Sequence, residues 1–501
     1  MKIAINHQGT IHFEPTMANR HGLISGATGT GKTVTLKLLA EEFSKLGVSV
    51  FITDIKGDLS GFLREATLTE GLQKRLDSIG ADAPAFSRYP TVFWDIFKTQ
   101  GIPLRTTISE MGPLLLSKLL KLNDTQMGVL YALFRVADDN GFHLLDFKDL
   151  QAIITNAHDH ASELSKLYGI INKQSLGAIQ RQLLILEEQG GHDFFKEPAV
   201  DVLDFIATEG GRGVINLFNA SMVHSNPDLY SAFMFWLLSE LFENLPEVGD
   251  EPLPKMVFFF EEAHLLFKNA SSTLLDRIEQ LVKLIRSKGV GIYFVTQNPQ
   301  DIPEEVLAQL SNKVQHALRA YTPKERRVLE SLADSFRTDG SMDLVEEMTT
   351  LGIGEALLSF LDDDGIPKVV EKGYILAPES SIDPVEEHAL QESIRSSKFY
   401  HKYARDLDSY SAYEMLQERQ KQAQVEKPSI TEADLELERE IRGGILEKKE
   451  EVQKTSRAKK TSTATKKKDT PMDRFLKNAM SSIGRELGKS ISRGIFGTLK
   501  R

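Results

Sequence analysis

The feature that most constrains the fold is a glycine-rich segment near the N-terminus, GATGTGKT, which begins at Gly26 and ends at Thr33. It fits the pattern G-x-x-x-x-G-K-[ST] without a mismatch. The β-rich run GLIS precedes it, and apolar residues at helical spacing follow it over 34–46. Because strand, loop and helix follow one another in this order, the segment is predicted to be a phosphate-binding loop rather than a chance glycine-rich turn.

The residue types of this loop suit the phosphates of a nucleotide. Backbone N–H groups and the N-terminal end of the following helix attract phosphate, and the Lys32 ammonium can reach the β and γ phosphates. The Thr33 hydroxyl is a ligand of the kind that Mg²⁺ prefers. The predicted nucleotide-binding residues are Gly26, Ala27, Thr28, Gly29, Thr30, Gly31, Lys32, Thr33 and Val34.

A pair of acidic residues closes an apolar run far downstream, where MVFFF is followed by Glu261 and Glu262. A P-loop enzyme needs one carboxylate that contacts Mg²⁺ through water and another that orients or activates the attacking water. We assign the metal role to Glu261 and the base role to Glu262. His264 is either a relay between nucleotide and substrate or a structural residue at the end of the strand.

Polar residues also follow two other predicted strands. The run GIYFVT is followed by Gln297, which is either a sensor of the γ-phosphate or an amide that caps the next turn. The run VSVFITD ends at Asp54 and continues through Lys56 to Asp58 at the edge where α/β sheets collect ligands, although these residues could equally form a turn. The predicted catalytic residues are Glu262, Lys32 and Gln297.

An arginine often stabilises the charge that develops on a transferred phosphoryl group, and another protomer often supplies it. Arg181, Arg286 and Arg319 are candidates, and no motif selects one of them. A surface salt bridge is the alternative role for each. The guanine-specifying sequence Asn-Lys-x-Asp is missing, since Asn172 and Lys173 are followed by Gln and Ser.

Strand-like runs, among them 91–95, 213–217 and 314–318, alternate with helical stretches. This order predicts an α/β fold, with a RecA-like P-loop NTPase core, a mainly parallel sheet, a large helical insertion and a charged C-terminal extension. The first residues alternate as in a hairpin, and Asp364-Gly365 predicts a second hairpin at an antiparallel edge. The predicted domains are two parts of the ATPase core at 1–105 and 206–378, a helical insertion at 106–205, a charged helical or disordered linker at 379–470 and a basic amphipathic tail at 471–501.

Charge is distributed unevenly along the chain. Residues 451–501 hold 14 Lys/Arg against 4 Asp/Glu, a net of +10, which leaves −21 for residues 1–450 of the total of −11. A basic arm of this kind suits nucleic acid, an anionic membrane or an acidic protein surface. No apolar run approaches the roughly 20 residues that span a bilayer, and the N-terminus lacks the apolar core of a signal peptide, so we expect a cytoplasmic protein without integral membrane association.

With these residues identified, the chain resembles the HerA/FtsK branch of P-loop motor ATPases, and most closely the bacterial HerA-like proteins of the YjgR type. The resemblance extends over nearly the whole chain, in blocks that include GATGTGKT, ITDIKGDLSG, FFFEEAHLLF, IRSKGVGIYFVTQNPQDIP and VQHALRAYTP. It implies a RecA-like core, ATP with Mg²⁺, and a homo-hexamer or other homo-oligomer whose sites lie between protomers. Motif matching implies phosphate binding by Gly31, Lys32 and Thr33, catalysis by Glu262 and sensing by Gln297.

The leading functional hypothesis is an ATP hydrolase of the HerA-like motor type that couples hydrolysis to translocation along DNA or to its remodelling. The alternative is an ATPase that switches or assembles a protein partner without acting on DNA. Two departures from the family motivate it: Glu261 stands where an aspartate is usual, and 25 residues precede the loop where HerA translocases have a substantial β-barrel. A third hypothesis is that the basic tail binds an anionic membrane surface. The alternative role of the tail is packing between the subunits of a ring.

Overall fold

A computed structural model describes residues 1–222, 227–249, 251–267, 272–319 and 322–425 of the chain. The predicted basic tail at 471–501 and residues 426–470 of the predicted linker lie outside the described residues. Within these ranges the strands are β1 (Lys2–Asn6), β2 (Gly9–His12), β3 (Gly22–Ser25), β4 (Ser49–Asp54), β5 (Thr91–Asp95), β6 (Ile102–Pro103), β7 (Thr208–Glu209), β8 (Arg212–Gly213), β9 (Ile215–Asn219), β10 (Met256–Glu261), β11 (Val290–Thr296), β12 (Asn312–Gln315), β13 (Glu355–Ser359) and β14 (Glu371–Ile375).

Helices connect these strands and cover the sheet. In the described ranges they are α1 (Lys32–Lys45), α2 (Glu70–Ile79), α3 (Ile108–Leu119), α4 (Asp124–Asn140), α5 (Phe147–Asp159), α6 (Ala161–Tyr168), α7 (Lys173–Leu186), α8 (His192–Phe194), α9 (Pro227–Asn244), α10 (His264–Phe267), α11 (Ser272–Ile285), α12 (Glu304–Leu307), α13 (Pro323–Asp334), α14 (Leu344–Thr350), α15 (Glu387–Ser396), α16 (Lys398–Tyr403) and α17 (Ala412–Val425). None of the helices in the described ranges is both long and apolar enough to cross a membrane.

The strands other than β7 and β8 form a single sheet in the order β2-β1-β14-β13-β12-β3-β11-β10-β4-β9-β5-β6. The strands from β12 to β6 are parallel, whereas β13, β14, β1 and β2 are antiparallel. Both predicted hairpins are therefore present, β1 with β2 and β13 with β14. The prediction of an α/β fold with a mainly parallel sheet is confirmed.

Strand β10 lies at the centre of the sheet, and its six residues are buried. Its side chains alternate between two covered faces, which is why its sequence is a continuous apolar run. On one face the ring of Phe259 lies near that of Phe43 of α1, with centroids 6.4 Å apart. On the other face Phe258 stacks on Phe51 at 5.0 Å and Phe260 on Phe294 at 5.5 Å.

The predicted strands differ from the observed ones mainly at β9 and β12, which were expected at 213–217 and 314–318. Strand β12 begins earlier, at Asn312. The side-chain amide of this residue is buried, and it makes hydrogen bonds where an apolar side chain would make packing contacts. Its Nδ2 donates to the carbonyl oxygens of Met17 and His21, and its Oδ1 accepts from the N–H of Leu361. A strand that begins on a buried amide cannot be recognised from hydropathy.

Residues after 379 form three helices up to Val425, and their apolar side chains pack on the β5 and β6 end of the sheet. The indole of Trp94 lies 5.6 Å from the ring of Phe399 and 5.8 Å from that of Tyr403, measured between centroids. Helix α17 packs on α5, where the Asp149 carboxylate accepts from the N–H of Tyr413 at 2.9 Å. The apolar residues here are widely separated by charged ones, so the sequence pattern gave little sign of this packing.

The start of β3 is fixed by a buried histidine. His21 accepts at Nδ1 from the N–H of Ile292, 3.0 Å away, and its Nε2 lies 2.8 Å from the carbonyl oxygen of Val282, to which it therefore donates. Burial lowers the pKa of His21 to about 4, and the nearby Arg286 guanidinium also lowers it. The imidazole is neutral at pH 7 and joins β3, β11 and α11.

We expect acid to weaken the fold through His21. Its pKa in the folded protein lies below the ordinary value of 6.5, so the unfolded chain takes up the proton first as the pH falls. The stabilisation is complete above about pH 6.5 and is lost towards pH 4, with a loss of up to about 3 kcal/mol in the free energy of unfolding.

Urea denaturation of the wild type and His21→Gln across pH 4 to 7.5 measures this effect. The wild type should lose stability more steeply than the variant, in which an amide can make both hydrogen bonds without titrating. The exposed His12 provides the control substitution His12→Gln. Identical pH profiles for the wild type and His21→Gln would contradict the prediction.

Candidate nucleotide site

The glycine-rich segment forms a loop between the end of β3 at Ser25 and the start of α1 at Lys32. Gly26 has a φ of 151°, and a β-carbon there would lie 2.5 Å from Cβ of His316, so only glycine fits. Gly31 is the N-cap of α1, with a φ of 115°, and no side chain caps the first N–H groups of this helix. Uncapped N–H groups at a helix N-terminus attract an anion.

Lys32 folds back over the loop. Its Nζ donates to the carbonyl oxygens of Gly26 at 2.7 Å and Ala27 at 2.9 Å. Burial lowers the pKa of Lys32, the nearby Glu262 carboxylate raises it, and the Lys56 ammonium lowers it further. Lys32 is therefore a partly desolvated cation that lies between the loop and the acidic end of β10.

A chain of hydrogen bonds joins the loop to the acidic strand. Thr28 donates from Oγ1 to Oε1 of Gln297 at 2.9 Å, and Nε2 of Gln297 donates to Oε1 of Glu262 at 3.1 Å. His264 approaches the other oxygen of Glu262, with Nδ1 3.5 Å from Oε2. The structure thus brings together four residues that the sequence analysis singled out separately, and the catalytic roles of Glu262 and Gln297 stay predictions.

Glu262 has an unusual backbone conformation, with a φ of 47°. A non-glycine residue in the left-handed region costs about 1 kcal/mol or more, and such residues cluster at functional sites. The turn is held by the N–H of Leu265, which donates to the carbonyl oxygen of Glu262, and by the N–H of Ala263, which donates to that of Val295. This turn directs the carboxylate towards Gln297.

Glu261 differs from Glu262 in being buried, with 5% of its surface exposed. Burial, together with the nearby carboxylates of Asp54 and Asp58, raises its pKa to about 8. Its Oε2 accepts from the N–H of Ile55 at 3.4 Å. The Lys56 ammonium lowers the pKa of Glu261 but does not offset these effects, so a further cation beside this carboxyl group would favour its ionised form.

The segment after β4 forms a turn, which is one of the two predicted alternatives, and contact of these residues with a ligand stays a prediction. Asp54 accepts at its carboxylate from the N–H groups of Gly57, Asp58 and Leu59 at 2.6, 3.3 and 3.0 Å. This carboxylate therefore shapes the turn, and Lys56 is exposed at its tip. Among the described residues, no group of three or more His, Cys, Asp or Glu side chains is arranged to hold a metal ion by itself.

The three candidate arginines lie in different places. Arg286 is near His21, at the end of the sheet opposite the loop, and Arg181 is exposed on α7. Arg319 follows β12 at the same end as the loop, where the N–H of Ala27 donates to the carbonyl oxygen of Ala317 at 2.7 Å. The Arg319 guanidinium donates to the carbonyl oxygen of Thr349. Of these three side chains, that of Arg319 belongs to the segment next to the loop.

The sequence analysis missed His316, which lies under the loop. Its Nδ1 is 3.0 Å from the carbonyl oxygen of Glu355, its Nε2 is 2.8 Å from Oγ1 of Thr35 in α1, and its backbone N–H donates to Ser25. Burial lowers the pKa of His316 to about 4. A single histidine at a strand end has no characteristic spacing, and only its neighbours in space identify it as a support of the loop.

The profile of the helicase HerA-like C-terminal family matches residues 1–501. The chain belongs to this family. Among its relatives is the DNA double-strand break repair helicase HerA of Sulfolobus acidocaldarius, 21% identical over 377 residues that cover 71% of this chain and 65% of that protein. The protein of the same name from Saccharolobus solfataricus is 23% identical over 353 residues, covering 68% and 61%. The HerA-like chain thus spans less than two thirds of the length of these relatives.

Solved structures agree on the fold of this HerA-like chain. The unbound bacterial conjugative coupling protein TrwBdeltaN70 superposes with a TM-score of 0.50 at 15% identity, covering 77% of this chain and 92% of that one. The plasmid coupling protein TrwB in complex with a non-hydrolysable GTP analogue gives a TM-score of 0.50 at 14% identity, covering 76% and 92%. The predicted RecA-like P-loop NTPase core of the HerA/FtsK superfamily is confirmed.

The strained turn of the HerA-like site yields a prediction about stability. Glu262→Gly removes the β-carbon that disfavours a φ of 47°, and we expect the free energy of unfolding to rise by about 0.5 to 1 kcal/mol. Glu262→Ala is the matched control, because it also lacks the carboxylate but keeps the β-carbon. Urea denaturation at pH 7.5 compares the stability of the two variants. If the glycine variant is no more stable than the alanine variant, the backbone at residue 262 is not strained.

Proposed function

We propose that this HerA-like chain is an Mg²⁺-dependent ATP-hydrolysing motor ATPase that couples hydrolysis to translocation along DNA or to its remodelling, as a helicase does. The observation that carries the ATPase part is the hydrogen-bonded chain from Thr28 through Gln297 to Glu262. It joins the phosphate loop to the carboxylate that would activate the attacking water. Family membership and the names of the relatives support the DNA part.

Each residue has a chemical task in this proposal. The N–H groups at the start of α1 and the Lys32 ammonium hold the phosphates, and Lys32 leaves the two loop carbonyls that it contacts in order to do so. Glu262 orients the attacking water and accepts its proton. Gln297 contacts both the loop and Glu262, so it can sense whether the γ-phosphate is present.

Mg²⁺ would be held by Thr33 and, through water, by Glu261, together with phosphate oxygens of the nucleotide. When bound it neutralises charge on the phosphates. The hydroxyl of Thr33 lies next to Lys32 at the start of α1, and the buried Glu261 carboxyl is at the end of β10. The Glu261 side chain has one more methylene than the aspartate usual in the family, which is compatible with contact through water.

We further propose a homo-hexamer or another ring of copies, in which an arginine of one protomer contacts the nucleotide of the next. The alternative remains an ATPase that switches or assembles a protein partner. The exposed apolar side chains of Leu167 and Ile170, 78% and 74% accessible, favour a protein contact at the end of α6. Residues 1–450 carry a net charge of −21. Negative charge over this much of the chain also favours a partner other than DNA.

The first test is steady-state ATP hydrolysis by wild type, Lys32→Ala and Glu262→Gln, with and without single- and double-stranded DNA at low and moderate salt. We expect Lys32→Ala to lose nucleotide affinity, and Glu262→Gln to bind ATP but to hydrolyse it at least about a hundredfold more slowly. DNA should stimulate the wild type, and the stimulation should weaken as salt rises.

Hydrolysis that DNA leaves unchanged, by a protein that does not bind DNA, would remove the motor part of the proposal and favour the protein-partner alternative. Equal loss of ATP binding in both variants would refute the division of roles between Lys32 and Glu262. Chelation of Mg²⁺ should abolish hydrolysis by the wild type.

Gln297→Leu removes both hydrogen bonds of the bridging amide while keeping a side chain of similar size. We expect kcat to fall about a hundredfold with a smaller change in KM, because Glu262 loses its orientation but the loop is intact. Gln300→Leu is the matched control, since Gln300 is exposed three residues further along. A Gln297→Leu variant as active as this control would exclude a role for the bridge.

A further inference from the structure

An apolar cleft of about 400 Å³ opens beside the phosphate loop. One side is formed by the start of α1 and by α2, and the other by the chain from the end of β14 through residue 383. Two of its apolar residues remain exposed at the mouth, Ile353 at 76% and Ile382 at 60%. Its apolar lining includes Val34, Leu72, Ile375, Ala377 and Pro378.

The cleft is continuous with the phosphate loop. Gly31 and Val34 line it, and these residues flank Lys32 and Thr33. Beside them the N–H of Gly354 donates to the carbonyl oxygen of Thr30 at 3.0 Å. A nucleotide whose phosphates lie on the loop therefore has its sugar and base within reach of the cleft.

Arg75 of α2 contributes a planar cation to this cleft. Its Nη1 donates to the carbonyl oxygen of Ile353 and its Nη2 to that of Gly354, both at 3.2 Å. Two bonds to successive carbonyls fix the plane of the guanidinium. A fixed guanidinium plane and apolar side chains are the surfaces on which an aromatic base packs.

The far wall of the cleft is tied to the helix that carries the loop. Glu41 of α1 is buried, and its carboxylate accepts from the N–H of Glu379 at 2.7 Å and from the N–H and Oγ of Ser380 at 3.0 and 2.5 Å. Lys45 of α1 adds a 2.8 Å contact to the Glu379 carboxylate. This wall therefore keeps its position relative to the phosphate loop.

We propose that this cleft binds the purine base and ribose of the nucleotide, with Arg75 and Ala377 in contact with the base and Glu41 as a positioning residue for the wall. The proposal rests on the function proposed above, because the loop must hold the phosphates for the base to reach the cleft. It adds a second part to the site, from α2 and the segment after β14, that no phosphate-loop motif contains.

The test compares ATP with inorganic tripolyphosphate, which has the phosphates without a base, by calorimetry in the presence of Mg²⁺. Ala377→Trp fills the cleft, and Arg75→Leu removes the planar cation. We expect each variant to bind ATP at least about tenfold more weakly than wild type, with little change for tripolyphosphate. Leu184→Trp, on the exposed face of α7, is the control for adding an indole at an apolar site.

The ratio of ATP affinity to tripolyphosphate affinity decides the outcome. A ratio unchanged in both cleft variants, or a wild type that binds both ligands equally, overturns the base site while the phosphate loop stands. A wild type that binds neither ligand refutes the proposed function and the base site together. A ratio that falls in both cleft variants and not in Leu184→Trp supports the cleft.

Discussion

The site depends on the register of three parallel strands. Ser25 of β3 is level with Thr296 of β11, and Val295 of β11 is level with Glu261 of β10. Strands β3 and β11 therefore end level with each other and β10 ends one residue earlier, and the residue after each strand belongs to the site: Gly26, Gln297 and Glu262. Since side chains alternate along a strand, a shift of one residue in any pairing would turn these groups to the wrong face.

The burial of β10 on both faces fixes this register, and it also explains the chemistry of the two glutamates. Glu261 is still within the strand, so its carboxyl is desolvated and close to other carboxylates. Glu262 has left the strand through a left-handed turn, and its carboxylate reaches Gln297. Adjacent residues of the same type thus have different environments, which is the physical basis for assigning them different roles.

Much of the fold could be predicted from the sequence, because the decisive patterns are local. The loop, the apolar strands and the acids that follow them are contiguous, so β3 and β5 were placed at their observed bounds and the mainly parallel sheet followed. The supports of the site were not predictable in this way. His316 and Glu41 act on residues that are distant in sequence, and Arg75 is a single charged residue on an amphipathic helix. The catalytic roles, the domain boundaries and the tail remain predictions.

The nucleotide site can be completed only late in synthesis, because the N–H of Gly354 donates to Thr30 and the Glu41 carboxylate contacts residues 379–380. The phosphate loop leaves the ribosome early, but the segments that support it and that border the cleft follow more than three hundred residues later. Contacts of such long sequence separation form late in folding. A nascent chain thus carries the complete glycine-rich motif long before it can hold a nucleotide in a finished site, and nucleotide binding becomes a property of the whole folded core.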